Sequence, residues 1–278
     1  MAMPSPKMQL AAYQRLPPVG EYNLYRRRML PLPGMAKRVA YFVTCIADTV
    51  FPEIGEAAFE VLARAGVTPE FPLGQTCCGQ PAFNAGFTDE ARQVAEHFVE
   101  VFAGYEAIVT PSGSCASMVK HYYPALFRGH PRQADALHIA ARTYELTEYL
   151  VDVLGVRDLG VALPRPTRAA IHDACHGYRG LGIARQPRLL LSHVRNLTLV
   201  EMVGHDQCCG FGGLFAIKMS AISGAMLRDK LAAIQDADCD LVITGDASCM
   251  MHINGGLSRA GSPKRVVHIA QVLAGALK

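Results

Sequence analysis

Short apolar runs alternate with amphipathic stretches from Lys37 onward, and the alternation predicts strand, helix, strand, cysteine-bearing loop, helix, strand, helix. The run from Lys37 to Thr44 reads as a buried strand ending at Cys45. Residues 51–65 carry apolar positions at helical spacing, with Gly66 as the stop. Thr88-Asp89-Glu90 is expected to open a helix over 91–102, its early acids suiting the helix dipole. Residues 107–110 form a short strand leading into Pro111-Ser112-Gly113-Ser114-Cys115.

The same order recurs about 130 residues later, which marks an internal duplication. Ala169–His172 is the strand before Cys175, Leu197–Val200 precedes Cys208-Cys209-Gly210, and Asp240–Thr244 precedes Gly245-Asp246-Ala247-Ser248-Cys249. Leu137-His138-Ile139-Ala140 and Val267-His268-Ile269-Ala270 read as matching closing helices. The fold class expected is α/β: two tandem homologous α/β repeats with mostly parallel sheets and cysteine loops at strand C-terminal ends. Residues 1–36, rich in Pro, Arg and Met, form an N-terminal arm ordered by docking; the first repeat spans 37–155, a proline-containing linker 156–167 and the second repeat 168–278.

Composition narrows the class. Half of the 278 residues are apolar and 18% charged, as in a compact globular protein. A net charge of +3 and scattered basic residues argue against a nucleic-acid partner. No apolar run is long enough to span a bilayer, and the proline-rich N-terminus does not resemble a signal peptide. A cytoplasmic protein is expected, with membrane contact only through partners. There, nine cysteines point to metal or redox chemistry rather than disulfides.

Each repeat offers a single Cys, an adjacent pair followed by Gly, and a later single Cys: Cys45, Cys77, Cys78 and Cys115, then Cys175, Cys208, Cys209 and Cys249. Four thiolates suit a [4Fe–4S] cluster or a tetrahedral zinc. The lack of C-x-x-C pairs and the splay of adjacent cysteines favour a cluster, with zinc in one repeat as the alternative. Gly79, Gly113, Gly210 and Gly245 would let backbone N–H groups approach an anionic cluster. Cys239 has no counterpart and reads as a buried core thiol. Among the histidines, His172 and His176 flank Cys175, and His252 follows Cys249 by one turn. No residue set forms a self-contained catalytic centre; glycine-rich phosphate loop, serine elbow and zinc-protease signatures are all missing.

The motifs Cys77-Cys78-Gly79-Gln80-Pro81-Ala82-Phe83, Pro111–Cys115, His172-Asp173-Ala174-Cys175-His176-Gly177, Cys208-Cys209-Gly210-Phe211-Gly212-Gly213 and Gly245–His252 resemble those of the cysteine-rich CCG-domain family. Within it the likeness is to the lactate utilization protein A family, related to the iron–sulfur subunit of glycolate oxidase and to the CCG-containing subunit of heterodisulfide reductase. The resemblance covers 37–278. It implies a non-catalytic or co-catalytic iron–sulfur electron-transfer subunit of an L-lactate-oxidising oxidoreductase, with a ferredoxin-like iron–sulfur subunit and a third subunit as partners. Electrons would pass to a quinone or another carrier. Alternatives are a zinc-stabilised scaffold subunit, a heterodisulfide-type thiol–disulfide reductase, and glycolate in place of lactate. The broad family ends each repeat with Cys-x-x-Cys, where this chain has Met118 and His252. That departure disfavours a five-cysteine double cluster, and leaves His252 as a nitrogen donor for the second repeat.

Overall fold

Val39, Ala40 and Tyr41 form β1 (Val39–Tyr41), buried on both faces, as a continuous apolar run must be inside a parallel sheet. The structure, a computed structural model, describes residues 38–277; the arm expected over 1–36 lies outside the described residues. β1 is flanked by β2 (Pro69–Glu70) and β3 (Ala107–Thr110), and β4 (Thr143–Glu145) joins β3, giving the order β2-β1-β3-β4. The second sheet uses β5 (Ala162–His172), β6 (Arg195–Val200), β7 (Leu241–Thr244) and β8 (Arg265–His268) in the order β6-β5-β7-β8. Every pairing is parallel. The duplicated α/β architecture read from the sequence is therefore present; β4 and β8 are strands that reading did not place, and Val267 and His268, expected in a closing helix, belong to β8.

The helices that build the site are α1 (Cys45–Val50), α2 (Pro52–Arg64), α3 (Thr88–Phe102), α4 (Gly113–Ser117), α5 (Arg185–Leu191), α6 (Ser220–Asp236), α7 (Ala247–Arg259) and α8 (Ile269–Ala274). α3 starts at Thr88 itself, after Phe87, and no side chain caps it. One core runs through both halves, joining Tyr41 and Val109 to Ile171 and Ile243. α2 of the first half packs on α8 of the second, and Arg64 donates to the carbonyls of Leu273 and Ala274. A separate aromatic core of Phe42, Phe98, Phe102 and Tyr123 belongs to the first half.

Two details of the sequence reading need correction. β5 begins at Ala162, so its first turn of chain lies in the stretch expected to link the repeats. Pro164 and Pro166 sit where the pairing with β6 shifts register, between Ala162 and Thr167; a proline has no N–H to give a regular ladder. The closing elements are also offset from the expected match. Glu145 pairs with Thr110 and His268 with Thr244, so Glu145, not His138, is the counterpart of His268. Both cap a short helix in a capping box, whereas His138 is exposed. The local likeness of 137–140 to 267–270 is a coincidence of apolar spacing that strand pairing overrides.

Candidate metal centres

Each half brings four sulfurs to the carboxyl edge of its sheet, where loops of a parallel α/β fold gather. Cys45 opens α1 just beyond β1, Cys77 and Cys78 lie in the loop after β2, and Cys115 sits in α4 after β3. Cys175, Cys208, Cys209 and Cys249 repeat the layout around β5, β6 and β7. Thr44, immediately before Cys45, takes a φ of 74°. A β-branched residue rarely does so, and such strain gathers at functional sites.

The sulfurs meet in pairs. Cys45 Sγ lies 3.8 Å from Cys77 Sγ, and Cys78 Sγ lies 3.5 Å from Cys115 Sγ. In the second half Cys209 and Cys249 are 3.4 Å apart, and Cys175 faces Cys208. All nine cysteines are free thiols, the adjacent pairs included. Cys239 stands apart, buried in the core.

Crowding sets the chemistry of these groups. Hydrogen bonds from the Cys45 thiol, and next from Cys78, pull Cys77 down to about 3. Cys175 and Cys209 draw Cys208 down to about 2. The thiols of Cys45, Cys78, Cys175 and Cys209 are pushed up, first by their sulfur neighbours and then by burial. One sulfur per half ionises readily; ionising Cys45, Cys78, Cys175 or Cys209 as well meets repulsion that a metal cation among them relieves. The donor set fits a metal centre.

The glycines divide into two roles. Gly79 and Gly210 adopt φ of 82° and 90° and donate their N–H to Cys77 Sγ and Cys208 Sγ, each at 3.4 Å. Gly113 and Gly245 do not serve sulfur in this way. Gly113 N–H goes to the Gly245 carbonyl at 3.4 Å, and a Cβ on Gly113 would come within 3.0 Å of Gly177. The smallness of Gly113 lets the two halves meet.

At that meeting Asp246, the N-cap of α7, accepts from Ser114 N–H and the Ser112 hydroxyl of the other half. Burial raises its carboxyl, yet hydrogen bonds from Ser248 and Ser114 outweigh this and leave it below its ordinary value. A cleft of about 40 Å³ opens here, lined by Gly113, Glu145, His172, Tyr178 and Gly245 among others, room for a few waters.

The structure adds residues that the sequence reading did not rank. His172 is buried, and a ring nitrogen of it lies within 4.8 Å of the sulfurs of both Cys209 and Cys249. Burial, then the charge of Lys230, pulls its imidazole down to about 4. Lys230, fully buried, donates to the Gly204 carbonyl at 2.6 Å and lies close enough to feel charge on Cys209 and Cys249. Asp173, next to His172, is gripped by both arms of Arg188 at 3.1 and 2.8 Å and by His205 at 2.7 Å. His205 is thus part of the frame that holds the His-Asp-Ala-Cys loop. His252 is placed one turn beyond Cys249, its ring 5.8 Å from Phe211, and burial lowers its pKa. The pattern His-Asp-Ala-Cys-His was visible in sequence; that its first member reaches the sulfurs was not.

The family model described as a cysteine-rich domain, CCG, matches residues 39–120 and 169–254, one match per half. Lactate utilization protein A of Geobacillus kaustophilus (strain HTA426) is 46% identical over 237 residues, covering 85% of this chain and 98% of its own. The chain belongs to the lactate utilization protein A family. A second member, lactate utilization protein A 2 of Bacillus cereus (strain 03BB102), is 45% identical over 238 residues, covering 85% of this chain and 98% of that protein. Among solved structures, a hypothetical protein from Helicobacter pylori superposes with a TM-score of 0.60 at 10% identity, covering 98% of this chain and 57% of that one. That likeness concerns the fold alone. Among the described residues of this family member, no helix is long and apolar enough to cross a membrane.

Proposed function

We propose that the chain is an iron–sulfur electron-transfer subunit of a system that oxidises L-lactate to pyruvate. The observation that carries this reading is the convergence, in each half, of sulfurs from three separate loops, with Cys45 and Cys77 3.8 Å apart and Cys78 and Cys115 3.5 Å apart. Cys45, Cys77, Cys78 and Cys115 would hold one cluster and Cys175, Cys208, Cys209 and Cys249 a second, four thiolates each suiting [4Fe–4S]. Such a group takes up and passes on single electrons. Gly79 and Gly210 N–H groups stabilise charge on the sulfurs. Cys45, Cys77, Cys175 and Cys208 are only partly buried, which leaves a side open to electron entry. On this reading the substrate is held by a partner protein. A ferredoxin-like iron–sulfur subunit and a third subunit, on the cytoplasmic side, fit that role.

One observation favours a second reading, a structural zinc. Two sulfurs on a tetrahedral ion with bonds of about 2.3 Å lie about 3.8 Å apart, the spacing of Cys45 and Cys77. Partial exposure of four of the eight cysteines and N–H donation to two of the sulfurs favour the cluster over an enclosed ion. Iron, acid-labile sulfide and EPR spectra of the anaerobically isolated chain test the choice. Brown protein with iron and sulfide supports it; colourless folded protein holding zinc alone overturns it. With partner proteins present, reduction of the clusters by lactate but not glycolate tests the substrate.

A further inference from the structure

The two centres are walled by different chemistry. Strand pairing sets Tyr41 against Val109 and Ile171 against Ile243, so the next residues along, Phe42 and His172, hold equivalent places. The glycines fix the helix register in the same way. A Cβ on Gly79 would meet Ala91 and Val94, and one on Gly210 would meet Ser223 and Met226. Two turns further along these helices, Phe98 corresponds to Lys230. In the first half Phe42 and Phe98 pack edge to face, ring centres 5.0 Å apart, in the core that contains Cys78 and Cys115. In the second half the same two places hold an imidazole and an ammonium group.

The imidazole is oriented for a task. His172 Nδ1 lies 3.2 Å from the carbonyl oxygen of His205. A carbonyl only accepts, so Nδ1 carries the proton and Nε2 of the neutral ring presents a lone pair. His172 is 1% exposed, and Nε2 has no hydrogen-bond partner. An orphaned buried acceptor is destabilising unless something occupies its lone pair. A ring held by N–H donation to a backbone carbonyl is the usual arrangement of a metal-bound histidine. The sulfurs of Cys209 and Cys249 stand within 4.8 Å of the ring's ligand atom and of each other, a three-donor group. His252 also has a buried Nε2 without a partner, but it lies outside that group.

We infer that His172 Nε2 is a ligand of the metal centre in the second half, beside Cys209 and Cys249 and in place of one of the two remaining thiolates, Cys175 or Cys208, while the first-half centre, with Phe42 in that place, has sulfur ligands alone. This rests on the reading of the repeated cysteines as metal ligands. The two centres are then unlike despite their common origin. A nitrogen ligand brings less negative charge than thiolate and shifts a centre toward easier reduction. The buried ammonium of Lys230 works in the same direction. The second half is the electron-accepting end of the pair.

The test uses the full chain, isolated anaerobically with ¹⁵N-histidine, as wild type, His172→Phe, His172→Asn and His252→Phe. His172→Asn keeps a donor for the His205 carbonyl and guards against mere misfolding. Pulsed EPR of the reduced protein, with X-ray absorption at the edge of the bound metal, reads nitrogen in the ligand shell. Nitrogen coupling in wild type and His252→Phe, lost in both His172 variants together with a negative shift of one midpoint potential, is the expected result. Nitrogen that persists in the His172 variants, or is missing from metal-loaded wild type, overturns the inference and leaves the proposed function standing. Wild type without metal overturns both.

Discussion

Ser112 Oγ lies 3.3 Å from Asp246 Oδ2, and these two residues are the N-caps of equivalent helices, α4 and α7, in the two halves. The cysteine-bearing helices therefore meet head to head, and one buried carboxylate serves both. Asp246 accepts from Ser114 N–H as well as from its own helix at Ser248.

Replacing Asp246 with Ala leaves half-buried N–H groups in both halves, those of Ser114 and Ser248, without their acceptor. A loss of about 2–4 kcal/mol is expected, against about 1 kcal/mol for Ser112→Ala, which removes one cap. Urea unfolding of the two variants and their double mutant gives the comparison. Equal losses would mean that Asp246 does not tie the halves together.

Glu145 and His268 occupy matching places and titrate in opposite senses. Burial pushes Glu145 up to about 7 and His268 down to about 4. The folded state thus holds a proton on Glu145 that the unfolded chain has lost above its ordinary value near 4.5, and stability falls as pH rises toward 7. His268 is the reverse: its contribution is whole above 6.5 and is lost as pH falls toward 4. Each effect is on the order of 3 kcal/mol. Between pH 7 and pH 5, His268→Gln should lose less stability than wild type and Glu145→Gln more. Parallel pH profiles for all three proteins would refute the assignment.

Gly210 is more constrained than its twin. A Cβ there would sit 2.7 Å from the Ser223 carbonyl oxygen, compared with 3.2 Å from the Ala91 oxygen at Gly79. Gly210→Ala should cost about 2–4 kcal/mol and displace the N–H that serves Cys208. Gly79→Ala should cost less. In metal content per chain, Gly210→Ala is expected to lose the second-half share and keep the first. Full retention in Gly210→Ala would count against the loop as a metal site.

Metal should follow the repeated cysteines and ignore the ninth. Cys78→Ser and Cys209→Ser are each expected to remove the metal of one half. Cys239→Ala, in the core and outside both groups, should keep full metal and lose about 1 kcal/mol of stability. Metal analysis beside thermal melting decides. Loss of metal from the Cys239 variant would show that the ligand set is misread.

Arg188 holds Asp173 with both guanidinium arms, and the aspartate is buried. Arg188→Met leaves that carboxylate with His205 alone, a change expected to cost about 3 kcal/mol. The His172–Cys175 loop should loosen with it. Hydrogen exchange at residues 172–176 measures that directly, and unchanged protection would dismiss the clamp.

The duplicated order of strands and helices, and the eight cysteines at strand ends, were legible in the chain alone. Periodicity and spacing are one-dimensional, and apolar runs such as 39–43 and 241–243 leave no other place for those residues than the middle of a sheet. The positions that decide the chemistry were not legible in that way. His172 rather than His252 reaches Cys209 and Cys249, Lys230 replaces Phe98, and Glu145 rather than His138 answers to His268. Each of these depends on which strand lies beside which, and on how one half docks against the other. Side chains distant along the chain become neighbours only through sheet register and burial, and their chemistry is set there.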